Sequence, residues 1–201
     1  SQMAPLYTAL ALWVGSVLMI VALRSDVTAE NVADGLEETH PTALYFKGRE
    51  VKLWEGFLGR YLIFGLIALI QATILCLGEL FFLKVQHTHP WEFMCAGWLM
   101  AFVFSFLLYT FIATFGNAGK ALGVLFLVLQ ISASGGAFPL DILPSFFRAI
   151  SPYLPATHGI TALRASIAGY SGNEYLDAML LLGAFALFAV VLGLGIRPFL
   201  I

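Results

Sequence analysis

Charged side chains are scarce in this chain of 201 residues. Asp, Glu, Lys and Arg together make up 11% of it, whereas they make up roughly a quarter of an ordinary soluble domain. Hydrophobic residues make up 60%, and the mean hydropathy is +0.90. Because 10 basic and 12 acidic side chains cannot coat a compact body of this size in water, the composition excludes a water-soluble globular domain. We therefore expect lipid to cover most of the surface.

The lack of a basic surplus and the small number of cysteines narrow the class of protein further. The net charge is -2 and the pI is near 6.0, so no basic surplus exists to displace counterions from a phosphate backbone. Nucleic acid is therefore not expected as a partner. The two cysteines, Cys76 and Cys95, both lie inside apolar runs, where they make neither a disulfide framework nor a metal cluster. We interpret them as small buried hydrophobic side chains.

Long apolar runs are what the chain has in abundance. A helix needs about 20 apolar residues to cross a bilayer, and five windows reach or approach that length. We therefore predict a single all-α integral membrane domain over residues 1–201. Its five spans are predicted at about 5–23, 61–83, 91–115, 121–138 and 178–196.

The one strongly polar segment, residues 24–60, holds 12 of the charged side chains. Near its end, Val51, Trp54, Leu58 and Tyr61 share one helical stripe, which is typical of a helix lying along the membrane surface. The alternative is that this stretch is the solvated end of the second span. Seven Lys and Arg residues fall on the side of this segment and three on the other. The positive-inside rule then places the segment and the C-terminus in the cytoplasm.

The same rule places the N-terminus of the chain outside. Because the chain begins without a charged region and a cleavage site of a signal peptide, we expect a further helix to precede it. On this interpretation the sequence is the C-terminal fragment of a longer protein with six spans.

Residues 139–170 are too apolar for a solvated loop, and prolines divide this region into pieces that are too short to span a membrane. We predict short helices over 145–150 and 156–168, introduced by Pro144 and Pro155, since proline fits the first turn of a helix. Irregular backbone survives at membrane depth only when it packs in protein or lines water. We therefore predict a re-entrant helical hairpin on the outer side that starts at a Gly135-Gly136 turn. The alternative is an amphipathic cap on the outer leaflet.

Several motifs in and around this hairpin resemble a known family. They are QISASGGAFP at 130–139, LPSFF at 143–147, SPYLP at 151–155 and ALR at 162–164, together with MAPLYT at 3–8 and LALWVG at 10–15. This pattern resembles the C-terminal membrane domain of the YhgE/Pip family, which is named partly after a phage infection protein. It is more distantly similar to permeases of the ABC-2 type.

The resemblance implies an ABC-2 type fold, with an upstream helix and an extracellular region before the five helices. It also implies a permease-like module in export or in envelope and secretion processes of the bacterial cell membrane, working as a homodimer with a separate ATPase subunit or with secretion-system components. The alternative is a membrane anchor that transports nothing and displays an extracellular region as a phage receptor or secretion scaffold.

Several single residues are candidates for a role in transport. Glu79 is an acid inside an apolar span, where such a group tends to mark a pathway or a paired site. Four residues separate it from Lys84, so pairing at the outer interface is the alternative. Gln71, Gln130 and Asn117 are expected to form hydrogen bonds between helices. Arg148 and Arg164 need a carboxylate, a headgroup or water, and Asp141, Glu174 and Asp177 are the acids on the same side.

The candidate set for transport or for stabilising the hairpin is Glu79, Gln130, Gly135, Gly136, Pro139, Arg148, Pro155 and Arg164. Trp54, Glu55 and Arg60 are candidates for docking a cytoplasmic ATPase. The run from Gly116 to Ala121 fails as a phosphate loop in both glycine spacing and the residue after its lysine. No catalytic triad, cofactor motif or specific metal-ligand spacing is present, so neither an enzyme nor a cofactor or metal site is expected.

Overall fold

The structure is a computed structural model that describes residues 3–22, 53–82, 88–169 and 172–195. Most of these residues are in helices and none of them is in a strand, which confirms the predicted all-α class. The helices are α1 Ala4–Ala22, α2 Leu53–Phe81, α3 Pro90–Phe115, α4 Asn117–Ala133, α5 Ser145–Ile150, α6 Pro155–Ala168 and α7 Glu174–Gly195, with 3-10 helices at Leu140–Ile142 and Ser151–Tyr153.

Four helices among the described residues are long and apolar enough to cross a membrane, over Ala4–Ala22, Phe57–Phe81, Pro90–Phe115 and Glu174–Gly193. The fourth predicted span, 121–138, has the wrong bounds. Helix α4 begins one turn earlier and ends at Ala133, because the backbone turns at Gly135. Its 17 residues reach about 26 Å at 1.5 Å per residue, somewhat less than the hydrocarbon core of about 30 Å.

The second span is longer than predicted. Helix α2 runs without a break from Leu53 to Phe81, so residues 53–60 belong to this helix rather than to the predicted loop, and the part that could cross a membrane begins at Phe57. Of the two alternatives for this stretch, the structure therefore supports a helical extension of the second span. Residues 23–52, which make up most of the predicted cytoplasmic segment, lie outside the described part of the chain.

Helix α3 is the centre of the bundle. It packs against α1, α2, α4, α6 and α7, and 78% of its 18-residue apolar stretch is buried inside the protein. Helix α2 instead buries a single stripe against this centre and turns its other face outward. The stripe repeats every three or four residues, as one face of a helix does, and comprises Phe57, Tyr61, Phe64, Ala68, Ala72, Cys76 and Glu79.

Helices α3 and α4 meet in a tight turn at Gly116, whose φ is +57°. We call this end of the bundle the turn end and the opposite end, which carries residues 134–154, the hairpin end. Small residues let the two helices approach, because a Cβ on Gly119 would collide with the backbone carbonyl of Phe111 and one on Gly123 with Leu108. Trp13 of α1 donates to the buried backbone carbonyl oxygen of Gly123 at 3.2 Å.

Candidate functional site at the hairpin end

The hairpin end begins with a turn that only glycine accommodates well. Gly135 has φ +69°, a conformation that costs little only for glycine. A Cβ on Gly136 would lie 2.6 Å from Leu6 Cδ1 and 3.0 Å from Ile160 Cδ1, so this residue lets the turn pack between α1 and α6. These contacts give the predicted Gly135-Gly136 turn a physical basis.

Proline places the two short helices that follow. Pro139 precedes the first 3-10 helix, Pro144 precedes α5, and Pro155 occupies the first turn of α6. The helices Ser145–Ile150 and Pro155–Ala168 have the predicted bounds to within one residue. The side chain of Thr157 reaches back from α6 and donates to the carbonyl oxygen of Ser151 at 2.7 Å, which holds the two pieces together.

Arg164 ties α6 to the glycine turn. Its Nη2 donates to the carbonyl oxygen of Gly135 at 2.9 Å and to that of Gly136 at 3.1 Å. The sequence suggested acids as partners for the two hairpin arginines. Within the described ranges, however, no carboxylate oxygen lies within 4.0 Å of Arg148 or Arg164. Arg164 is thus held by backbone carbonyls, and Arg148 lies exposed on α5.

A cavity of about 710 Å³ opens beside this arginine. The start of α1 forms one wall, residues 135–139 form a second, and the last two turns of α6 form the third. Most of the lining is backbone or apolar side chain, including Met3, Phe138 and Ile167, and Arg164 is the one charged residue among the described lining residues. The cavity therefore combines an apolar wall with a single cation.

Glu79 is buried between α1 and α2, with 5% of its surface exposed. The hydroxyl of Thr8 lies 2.6 Å from Glu79 Oε1 and 2.9 Å from the carbonyl oxygen of Ala4. Because a hydroxyl has one proton, Thr8 can donate to only one of these acceptors. If it donates to Ala4, the contact with Glu79 requires a proton on the carboxyl group. Glu79 Oε2 is buried and has no hydrogen-bond partner among the described residues.

Two more buried polar groups lie near this end, one on α4 and one just after it. Gln130 and Ser134 are each 3% exposed, and neither Gln130 Nε2 nor Ser134 Oγ has a hydrogen-bond partner in the described part of the chain. Among these residues, Gln130 Nε2 therefore does not form the predicted bond to another helix. The one expected from Gln71 is formed, because its Nε2 donates to the carbonyl oxygen of Ala11 at 2.8 Å.

Sequence reasoning missed Thr8 and Ser134. Both are hydroxyl residues in or next to an apolar helix, and such residues usually bond their own helix backbone. Only the packing of α1 against α2 brings Thr8 to an acid, so no local signal distinguished it. Cys76 was correctly interpreted as a buried hydrophobic side chain, and it contacts α3 at Gly97.

The remaining predicted residues fall into two groups. The side chains of Trp54 and Glu55 and all of Lys84 lie outside the described part of the structure. Arg60 lies on α2, half-buried and with an interaction partner. Among the described residues, no three His, Cys, Asp or Glu side chains are grouped as a metal site would require.

Comparison with known proteins places this arrangement in context. Residues 47–194 match the family model described as ABC-2 family transporter protein. The chain is 32% identical over 137 residues to the uncharacterized protein YhgE of Bacillus subtilis (strain 168). That match takes in 68% of this chain but 18% of the relative, so the chain spans about a fifth of the relative's length. No solved structure matches significantly.

Proposed function

Because this multi-pass membrane chain belongs to the ABC-2 transporter family, we propose that it forms the membrane-spanning module of an exporter in a bacterial cell membrane. The observation that carries the proposal is the family match over residues 47–194, together with a bundle whose helices have the length and composition of membrane spans. On this proposal the module has no catalytic chemistry of its own. It moves a substrate that another part of the assembly energises.

A separate ATPase subunit docks at the turn end. The Gly116–Lys120 stretch lacks the spacing of a phosphate loop, and in the structure it is a tight turn that continues directly into α4. The positive-inside rule puts this end in the cytoplasm. The first turns of α2, with Trp54, Glu55 and Arg60, extend from the same end and offer the docking surface.

Transport then depends on movement at the hairpin end, which faces outward on this orientation. Arg164 and the Gly135-Gly136 turn couple α6 to α4, and Glu79 couples α2 to α1 through Thr8. Both contacts join helices that alternating access would move against one another. A second copy of the chain completes the substrate path, since ABC-2 type modules resembling this one are expected to work as dimers.

The test is a purification of the full-length protein from its native membrane in a mild detergent, with quantitative mass spectrometry of what accompanies it. We expect a nucleotide-binding subunit in a ratio near one to one. Arg60→Glu should lower its recovery, whereas Arg148→Glu, the control at the hairpin end, should leave it unchanged.

A monodisperse protein that carries no nucleotide-binding subunit would contradict the proposal. If secretion or envelope proteins were recovered instead, the chain would be better described as an anchor for an extracellular region. Glu79→Gln is the matching test of the hairpin end, because unchanged activity and expression in that variant would remove Glu79 from the transport mechanism.

A further inference from the structure

The cavity at the hairpin end has the composition of a site for an amphiphile. Its volume of about 710 Å³ lies within the range of about 300–1,000 Å³ that is typical of small-molecule pockets. Met3, Pro5, Phe138 and Ile167 give it an apolar wall, and Arg164 gives it a positive charge. A molecule that matches both features carries an anionic group joined to an apolar chain.

The hydrogen-bond donors of the Arg164 guanidinium favour an anion as the bound group. A guanidinium has five N–H donors, and the two bonds to Gly135 and Gly136 come from Nη2 alone. In the described residues, the donors on Nε and Nη1 have no protein acceptor. The two carbonyl bonds also fix the plane of the guanidinium. Because they use both N–H groups of Nη2, which belongs to each two-pronged edge of a guanidinium, a phosphate here accepts single charge-assisted hydrogen bonds from Nη1 or Nε.

The surroundings of the cavity favour a lipid as the source of that anion. Phe138 lines the cavity and is 64% exposed. Beyond it, the hairpin presents a run of exposed apolar side chains, namely Ile142, Phe146 and Tyr153. Tyrosine is enriched at the headgroup level of a bilayer, and Tyr153 is 75% exposed. We therefore expect this part of the hairpin to lie near the lipid headgroups, where a lipid can reach the cavity without leaving the bilayer.

We propose that this cavity binds the phosphate headgroup of an anionic phospholipid, with the phosphate on the free donors of Arg164 and the start of an acyl chain along Met3, Phe138 and Ile167. The bound lipid accepts hydrogen bonds from Arg164, the one charged residue among the described residues that line the cavity. It also bridges the start of α1, the glycine turn and the end of α6, which are the three elements that form the walls.

The experiment uses the full-length protein in nanodiscs made of equal parts phosphatidylglycerol and phosphatidylcholine, followed by native mass spectrometry of the released protein. We expect one phosphatidylglycerol to remain bound per chain, at least tenfold in excess of phosphatidylcholine. Arg164→Gln should lower this retention at least tenfold. Arg148→Gln removes an equal charge from an exposed position on α5 and should leave retention unchanged.

A second variant tests the cavity without changing Arg164, whose bonds to the glycine turn also contribute to the fold. Ala168→Trp fills the cavity from α6 and leaves the guanidinium and its carbonyl bonds in place, so we expect it to lose the lipid while remaining folded. Retention that survives Ala168→Trp, or that falls equally in Arg148→Gln and Arg164→Gln, would overturn the proposal. Displacement of the lipid by millimolar inorganic phosphate would also overturn it, because free phosphate would then be the ligand and the apolar wall would contribute nothing.

Discussion

The half of the bundle at the turn end, the turn half, and the half at the hairpin end, the hairpin half, differ in how their buried polar groups are hydrogen-bonded. In the turn half, aromatic side chains bring polar atoms into the core, and each of these atoms has a hydrogen-bond partner. Tyr61 donates to the carbonyl oxygen of Phe102 at 3.1 Å, Tyr109 to that of Phe57 at 2.9 Å, and Trp13 to that of Gly123. In the hairpin half, Glu79 Oε2, Gln130 Nε2 and Ser134 Oγ are buried without a partner among the described residues.

This difference separates a part of the molecule that maintains the fold from a part that is available for function. Buried polar atoms are nearly always hydrogen-bonded in native proteins, so a group of unpartnered atoms at one end needs a reason. The hydroxyls of Thr110 and Thr114 on α3, near the turn end, are exceptions that also have no partner among the described residues, but neither carries a charge or an amide. The acid, the amide and the cavity all belong to the hairpin half.

The largest expected effect is in the turn half. Trp13 is fully buried, with its ring 5.0 Å from that of Phe104. Trp13→Ala removes this packing and the bond to Gly123, so we expect it to lower the free energy of unfolding by about 3–5 kcal/mol. Thermal unfolding of the purified protein followed by circular dichroism measures the loss.

Trp91→Ala is the matched control, because Trp91 is 70% exposed and its ring contacts only that of Trp98 among the described aromatic side chains. We expect a loss below about 1.5 kcal/mol, the upper range for an aromatic pair. Equal losses in the two variants would show that burial in this half does not determine stability.

The second effect concerns the close approach of α3 and α4. A Cβ on Gly119 would collide with the backbone of Phe111, and backbone cannot move aside as a flexible side chain can. Gly119→Ala should therefore cost about 1–3 kcal/mol, as overpacking does. Nothing lies within 4 Å of a Cβ built on Gly183 of α7, so Gly183→Ala should not destabilise the protein. Thermal unfolding of both variants makes the comparison, and a destabilised Gly183→Ala would contradict it.

The contact between Thr8 and Glu79 should give a smaller effect. Hydrogen bonds between membrane helices contribute about 0.6 kcal/mol on average and up to about 1.7. A double-mutant cycle with Thr8→Val and Glu79→Met should therefore give a coupling free energy in this range. A parallel cycle with Thr8→Val and Thr73→Val, whose hydroxyl bonds to Leu69 and Trp98 instead, should be additive within about 0.5 kcal/mol. Additivity in the first cycle would mean that the contact does not hold α1 to α2.

The smallest effect is expected for Gln130. Its Nε2 has no hydrogen-bond partner among the described residues, so Gln130→Met removes a desolvated amide and breaks no bond of that group. Replacing such a group by an apolar one of similar shape is nearly neutral or stabilising, and we expect a change within about 1 kcal/mol. Unfolding curves of the variant provide the check. A loss above this value would show that the amide is paired and that the two halves do not differ as described.

The membrane spans could be predicted because apolar length is a local property. The predicted spans 5–23 and 91–115 agree with Ala4–Ala22 and Pro90–Phe115 to within one residue, and proline positions predicted both short helices. The end of α4 was placed wrongly because residues 134–138 carry no charge, so the uncharged stretch continues past the end of the helix. The predicted Gly135-Gly136 turn already marked the change of direction, and the backbone at Gly135 shows that the helix ends just before it.

The contacts of the candidate site could not be predicted in the same way. Charge pairing favoured acids for Arg164, but the turn places two carbonyl oxygens closer than any acid. Thr8 meets Glu79, 71 positions away, only because α1 and α2 pack in one particular register. An apolar helix has many similar faces, and its sequence alone does not say which face meets which neighbour.

The central claim is that the hairpin end faces outward and the turn end faces the cytoplasm, since the docking of an ATPase at the turn end depends on it. Cysteine labelling in intact cells with a membrane-impermeant maleimide tests it, after Cys76 and Cys95 are replaced by alanine. Asp141 at the hairpin end and Asn117 at the turn end are both exposed. We predict that Asp141→Cys reacts in intact cells and that Asn117→Cys reacts only after permeabilisation. The reverse pattern would contradict the orientation and the proposed docking of an ATPase at the turn end.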